Sequence, residues 1–191
     1  MNHQQLPLGA PQIEALASRI DKPIVLVGMM GVGKSSVGKR VASLLKCAFV
    51  DADEEIEESA QMTIPEIFET FGEEYFRDGE RRVIARLIEE SDGCRVIATG
   101  GGAFCNPETR ALILDKAIAV WLDSDIDTLV ERTSRKNNRP LLKQGDPREI
   151  LTRLRNERRA DYSQAPIHVT SSAGPHARTV DSVLKGIEQW L

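Results

Sequence analysis

Gly28-Met29-Met30-Gly31-Val32-Gly33-Lys34-Ser35 carries the first chemistry legible in this chain, because it matches the pattern GxxxxGK[ST]. Glycines at these positions let the backbone turn tightly and aim successive N–H groups at phosphate oxygens, and the helix that follows adds partial positive charge. Lys34 is placed to neutralise the β and γ phosphates, and the Ser35 hydroxyl to hold Mg²⁺ bridging them. Gly31, Val32, Gly33, Lys34, Ser35 and Ser36 are therefore the expected nucleotide-binding set. The bland alternative is a glycine-rich turn with an accidental lysine. The loop lies between an apolar run and a helical pattern, as a phosphate cradle must. The loop alone leaves ATP or GTP open, but the chain has no [NT]KxD guanine reader, so a GTPase is disfavoured, and the same absence counts against a nucleotide-dependent switch.

Two further segments supply complementary groups. Asp51 and Asp53, in Phe49-Val50-Asp51-Ala52-Asp53, are two residues apart at the end of an apolar run. In extended chain that spacing puts both carboxylates on one side. Asp51 is the better partner for the metal, and Asp53 the better acceptor of a hydrogen bond from an attacking hydroxyl. The competing reading makes both of them solvated acids at a helix N-terminus, since Asp53-Glu54-Glu55 suits one. Val96-Ile97-Ala98-Thr99 runs into Gly100-Gly101-Gly102, where the missing Cβ atoms allow a backbone floor to come against a ligand. Thr99 stands where P-loop proteins ordinarily carry a metal-binding acid, which moves that duty to Asp51.

Residues 132–159 hold ten basic side chains against three acidic ones and contain no Phe, Trp or Tyr. A nucleic-acid stripe would use aromatic residues for stacking, so a clamp over polyphosphate is the better reading. Pro140, Gly145 and Pro147 punctuate it as hinges. Arg139 is then a candidate to stabilise transition-state charge. For Arg148, Arg153 and Arg155 a solvated helix face is the simpler expectation.

Positioning these groups requires an alternating α/β chain. Ile24 to Val27, Ala48 to Val50, Arg95 to Ala98, Ala117 to Leu122 and Ile167 to Thr170 read as short buried strands. Helical patterns cover about 34–45, 64–71, 73–91, 107–115, 126–133, 148–161 and 177–190. Five parallel strands with helices on both faces make a three-layer α/β/α sandwich, with ligands at the carboxyl ends of the strands. The 191 residues suit one domain. A net charge of −4 argues against coating nucleic acid or an anionic membrane, and the longest apolar stretch, Ile24 to Val32, is far too short to span a bilayer. Cys47, Cys94 and Cys105 are an odd set without CxxC spacing, which speaks against a disulfide framework and for a reducing compartment. Residues 1–22 lack the marks of a secretory or transit signal, so the cytoplasm is the expected location. Gln12 to Ile20 is either a short docked helix or part of an untethered extension.

Taken in order, GMMGVGKS, FVDAD, IFETFGEEYFR, ATGGG, NRPLL and RNERRADY resemble the motifs of the shikimate kinases from about Pro23 to the C-terminus. The resemblance implies a P-loop nucleoside monophosphate kinase-like domain over 23–191, with a shikimate-binding segment at about 54–91 and a mobile lid at about 134–147. It implies transfer of the γ-phosphoryl of MgATP to the 3-hydroxyl of shikimate by a monomer. Lys34, Asp53 and Arg139 are then the catalytic group, and Arg132 and Arg139 join the ATP site. Asp53, Arg77, Gly100, Gly101, Gly102 and Arg159 bind shikimate; Ser35 and Asp51 hold the metal. Arg77 and Arg159 match the pair that grips the carboxylate, a task suited to guanidinium forks. Glu80 looks like the partner of Arg77, and Phe68 and Phe76 like an apolar wall. Thr170 to Pro175 lacks an arginine that some members place near the adenine. A gluconate-type sugar-acid kinase is the alternative enzyme, and a regulatory nucleotide-binding module the alternative of another class.

Overall fold

The computed structural model describes residues 7–135, 142, 145–171 and 174–191. Within them the strands are β1 (Ile24–Val27), β2 (Ala48–Asp51), β3 (Arg95–Ala98), β4 (Ile118–Asp123) and β5 (Ile167–Thr170). They form one five-stranded sheet in the order β2-β3-β1-β4-β5, and every pairing is parallel. β1 is buried along its whole length, as an aliphatic strand covered on both faces must be. The principal core gathers side chains from all five strands and from helices on both sides of the sheet. The strand assignments read from sequence agree with these to within a residue at each end.

The helices are α1 (Ala10–Ala17), α2 (Lys34–Leu45), α3 (Ala52–Ala60), α4 (Ile64–Glu89), α5 (Pro107–Lys116), α6 (Ile126–Ser134), α7 (Pro147–Tyr162) and α8 (His176–Trp190), with a 3₁₀ turn at Ala103–Cys105. Several begin at a side-chain cap. Thr63 and Glu66 form a capping box at α4, Asn106 caps α5, and Asp125 accepts from the Thr128 amide at α6. α4 is broken at Gly72, whose φ of 84° and ψ of 173° are not helical, so the two helical patterns expected on either side of residue 72 are two segments joined at a kink. α3 has no counterpart among the helical patterns of the sequence. Residues 10–17 do dock: Leu16 and Ile20 are buried in the principal core, and the Leu8 amide donates to Asp181 of α8 at 3.1 Å.

Strand order decides which chemical groups meet. β3 lies between β1 and β2, so the glycines after β3 are flanked by the loop after β1 on one side and by Asp51 and Asp53 on the other. No helix among the described residues is long and apolar enough to cross a membrane.

Candidate active site

The loop between β1 and α2 can form only with glycine at its start. Gly28 has φ of 136°, and a Cβ there would sit 2.2 Å from the Leu122 carbonyl oxygen, so the loop turns hard against β4. Lys34, at the first position of α2, is buried and reaches back to donate to the carbonyls of Gly28 at 2.7 Å and Met29 at 2.9 Å. Gly31, Val32, Gly33, Ser35 and Ser36 complete the loop and the first turn of α2. The Val32 side chain is wholly buried, which leaves its backbone for the ligand side. Arg132 of α6 braces this loop by donating to the Val32 carbonyl at 3.0 Å and to Ser171 Oγ at 3.2 Å.

Ser35 Oγ donates to Asp51 Oδ2 at 2.5 Å, while Asp51 Oδ1 accepts from the Asp53 amide at 3.0 Å. Asp51 is thus both the N-cap of α3 and the partner of the P-loop hydroxyl. A hydroxyl and a carboxylate oxygen side by side are hard donors that suit Mg²⁺, a cation that completes its octahedron with water and substrate phosphate. Thr99, at the end of β3, donates instead to the Leu26 carbonyl at 2.9 Å, locking β3 to β1.

The glycine floor is pressed from α4 and α7. A Cβ on Gly100 would come 2.5 Å from Glu80 Oε1 and 3.0 Å from Asp53 Oδ1, and one on Gly102 would come 2.6 Å from Arg77 Nη1. Arg77 and Glu80, one turn apart on α4, pair at 2.8 Å, with the Glu80 side chain only 3% exposed. Burial pushes the Glu80 carboxyl above its ordinary value, against the pull of Arg77, Arg158 and Lys34. Burial also acts against the charge on Arg77, but Glu80 and Glu73 outweigh it and hold the guanidinium protonated. Phe76 lies under that guanidinium, 5.1 Å from ring centroid to Cζ, and packs on Phe68 with centroids 4.8 Å apart. These rings belong to a small second core with Ile56 and Ile67. From α7, Arg158 donates to the Gly101 carbonyl at 3.0 Å, and the buried Tyr162 hydroxyl donates to the same oxygen.

A family model described as shikimate kinase matches residues 30–188. The chain belongs to the shikimate kinase family. A shikimate kinase of Novosphingobium aromaticivorans is 62% identical over the whole of both chains. One of Caulobacter vibrioides is 53% identical over 88% of this chain and 83% of its own. Among solved structures, the shikimate kinase of Acinetobacter baumannii in complex with shikimate has a TM-score of 0.78 at 33% identity, covering 95% of this chain and 96% of that one.

Set against the shikimate kinase motifs, the structure brings Lys34, Ser35, Asp51, Asp53, Arg77 and the three glycines to one end of the sheet. One residue differs. Arg159 is exposed on α7, and its neighbour Arg158 is the one that reaches the floor. Helical phase is the cause. Leu151, Leu154, Arg158 and Tyr162 recur at intervals of three and four on the inward stripe, with Leu151, Leu154 and Tyr162 buried, and Arg159 lies one step off it. That spacing was available in the sequence and identifies both Arg158 and Tyr162, which motif matching missed. Arg155, expected on a solvated face, instead pairs with Asp123 at 3.1 Å and holds α7 to the end of β4. Arg148 and Arg153 are exposed as expected; Arg153 pairs with Glu157 one turn on, whereas Arg148 pairs with Asp127 of α6. Arg139 lies outside the described residues, as does most of the span read as a lid.

Proposed function

We propose that this chain transfers the γ-phosphoryl of ATP to the 3-hydroxyl of shikimate, giving shikimate 3-phosphate and ADP. The observation that carries the reading is the convergence of Arg77, Arg158, Glu80 and Asp53 on the Gly100–Gly102 floor, one strand away from the phosphate loop. Two guanidinium groups fixed from different helices suit a planar carboxylate and set its orientation as well as its charge. Asp53 then faces the ring hydroxyls and orients the attacking one toward the γ-phosphorus. With a largely dissociative transition state, that placement matters more than early removal of the proton.

On the donor side, the P-loop amides and Lys34 take the β and γ phosphates, and Lys34 exchanges its bonds to the Gly28 and Met29 carbonyls for phosphate oxygens. Ser35 and Asp51 are the residues that would hold Mg²⁺, directly or through water. A Mg²⁺ held there would supply charge neutralisation for the polyphosphate. Arg132 fixes the loop edge beside the nucleotide, and Arg139 is the basic group assigned to the transferring phosphoryl. Closure of the segment around 134–147 would exclude water and limit wasteful hydrolysis.

The test is ADP release coupled to a spectroscopic readout, with MgATP and matched concentrations of shikimate, gluconate or no acceptor. Turnover that requires shikimate supports the reading. Turnover indifferent to the acceptor refutes it and favours a nucleotide-binding module, and turnover with gluconate alone favours a sugar-acid kinase.

A further inference from the structure

Cys47 and Cys94 lie 47 residues apart in the chain, yet their sulfurs are 2.9 Å apart. Sheet register brings them together. Ala48 pairs with Arg95 in the β2–β3 ladder, and the two cysteines are the residues just before that pair. Neighbouring strands run about 4.8 Å apart, inside the Cα separation of about 4.4–6.8 Å that a disulfide spans. Both residues are free thiols, half-buried against the edge of the core and partly open to solvent. The third cysteine, Cys105, follows the glycine floor at the other end of β3.

We propose that Cys47 and Cys94 form a reversible oxidation site, closing to an intramolecular disulfide with small-molecule disulfides of the glutathione type. The Cys47 thiolate attacks one sulfur of the external disulfide, expels its partner as a thiolate, and leaves a mixed disulfide on Cys47. Cys94 gives up its proton to solvent, and its sulfur attacks Cys47 Sγ, forming the protein disulfide and expelling the second external thiolate. Two protein thiols lose two electrons, the external disulfide gains them, and two protons end on the released thiols. The order follows from the hydrogen bond that Cys94 donates to Cys47. That bond holds the Cys47 thiol below its ordinary value against the effect of burial, whereas the same contact pushes Cys94 up. Closing from 2.9 Å to a bonded length of about 2.05 Å needs a shift of about 0.9 Å, and both residues lie at strand ends where side chains can supply it.

The ring so closed contains β2, α3 and α4, the whole excursion that carries Asp53, Arg77 and Glu80. The bond itself lies at the opposite end of β2 and β3 from those groups. Oxidation is therefore a staple at the base of the excursion: it resists opening of α3 and α4 and leaves turnover unchanged within about twofold.

The experiment incubates the full-length reduced chain with oxidised glutathione, blocks residual thiols with an alkylating agent under denaturing conditions, and maps the peptides by mass. The expected product has lost two hydrogens, carries a Cys47–Cys94 cross-link, retains one alkylated thiol at Cys105 and no glutathione, and reverts with dithiothreitol. Cys105→Ser forms the same cross-link, and the oxidised chain melts higher than the reduced one. Three free thiols, a persistent glutathione adduct, a cross-link through Cys105, or a lower melting temperature after oxidation overturns the proposal.

Discussion

Arg158→Ala separates the two adjacent arginines of α7 by a wide margin. Arg158 makes a 3.0 Å charge-assisted hydrogen bond to the Gly101 carbonyl and contributes to the field at the buried Glu80. In the proposed complex it is one of two guanidinium groups on the acceptor carboxylate. A hydrogen bond to a charged group contributes about 1.5–3 kcal/mol, which is about 10- to 150-fold in affinity at 1.36 kcal/mol per decade. Arg158→Ala should therefore raise the shikimate KM by about that factor, and the MgATP KM should stay within about twofold because the carbonyl it holds belongs to the glycine floor rather than to the P-loop. Arg159→Ala, an exposed change away from the floor, should alter either constant by less than about 0.5 kcal/mol, again about twofold. The assay is steady-state ADP release with each substrate varied in turn, on variants whose cooperative melting shows an intact fold. A large shikimate defect in Arg159→Ala with none in Arg158→Ala would refute the assignment made from helical phase. So would an Arg158→Ala defect shared equally by both substrates.

Two other perturbations probe the donor side. Asp51→Asn keeps a good N-cap for α3, since Asn and Asp serve alike there, but replaces a charged oxygen beside Ser35 Oγ. The apparent Mg²⁺ requirement should rise about 10- to 100-fold with little change in melting temperature; a stability loss with normal metal dependence would mean that capping is its whole role. His176, beside the P-loop at the start of α8, has its pKa lowered by burial first and then by Arg132 and Arg40. Its native pKa lies below the unfolded value of about 6.5, so the unfolded chain takes up that proton first as pH falls. The stability it supports is full above about pH 6.5 and is lost as pH falls through the native pKa. Melting temperatures of wild type and His176→Gln should therefore converge or cross below pH 6.5, and parallel curves would sink the reasoning.

The strands were legible because each is a short run of four to six mostly aliphatic or β-branched residues bounded by glycine or a polar residue, a pattern with few competing conformations. α3 was not, because ADEEIEESA offers only Ala52 and Ile56 to a core, too little apolar periodicity to separate a helix from an acidic turn. Its start was visible only as a possible cap. Arg158 and Arg159 are indistinguishable by type and were separable only by counting back from Tyr162. The Cys47–Cys94 contact depends on β2 pairing with β3, a long-range fact that no local pattern contains.

Strand order also explains the threonine at the end of β3. The floor that follows Thr99 lies between the phosphate loop of β1 and the acids of β2. A carboxylate at residue 99 would put a third negative charge between a polyphosphate and an anionic acceptor, in a setting where Glu80 is already buried. Thr99 spends its hydroxyl on the Leu26 carbonyl instead, which fixes the spacing of β1 and β3. Asp51, on β2, would take the metal instead, its two oxygens held by the Ser35 hydroxyl and by the Asp53 amide at the α3 N-terminus. In the proposed reaction, moving the metal acid from β3 to β2 would leave the end of β3 itself uncharged, so that no further carboxylate opposes the approach of a phosphoryl group to an anionic alcohol.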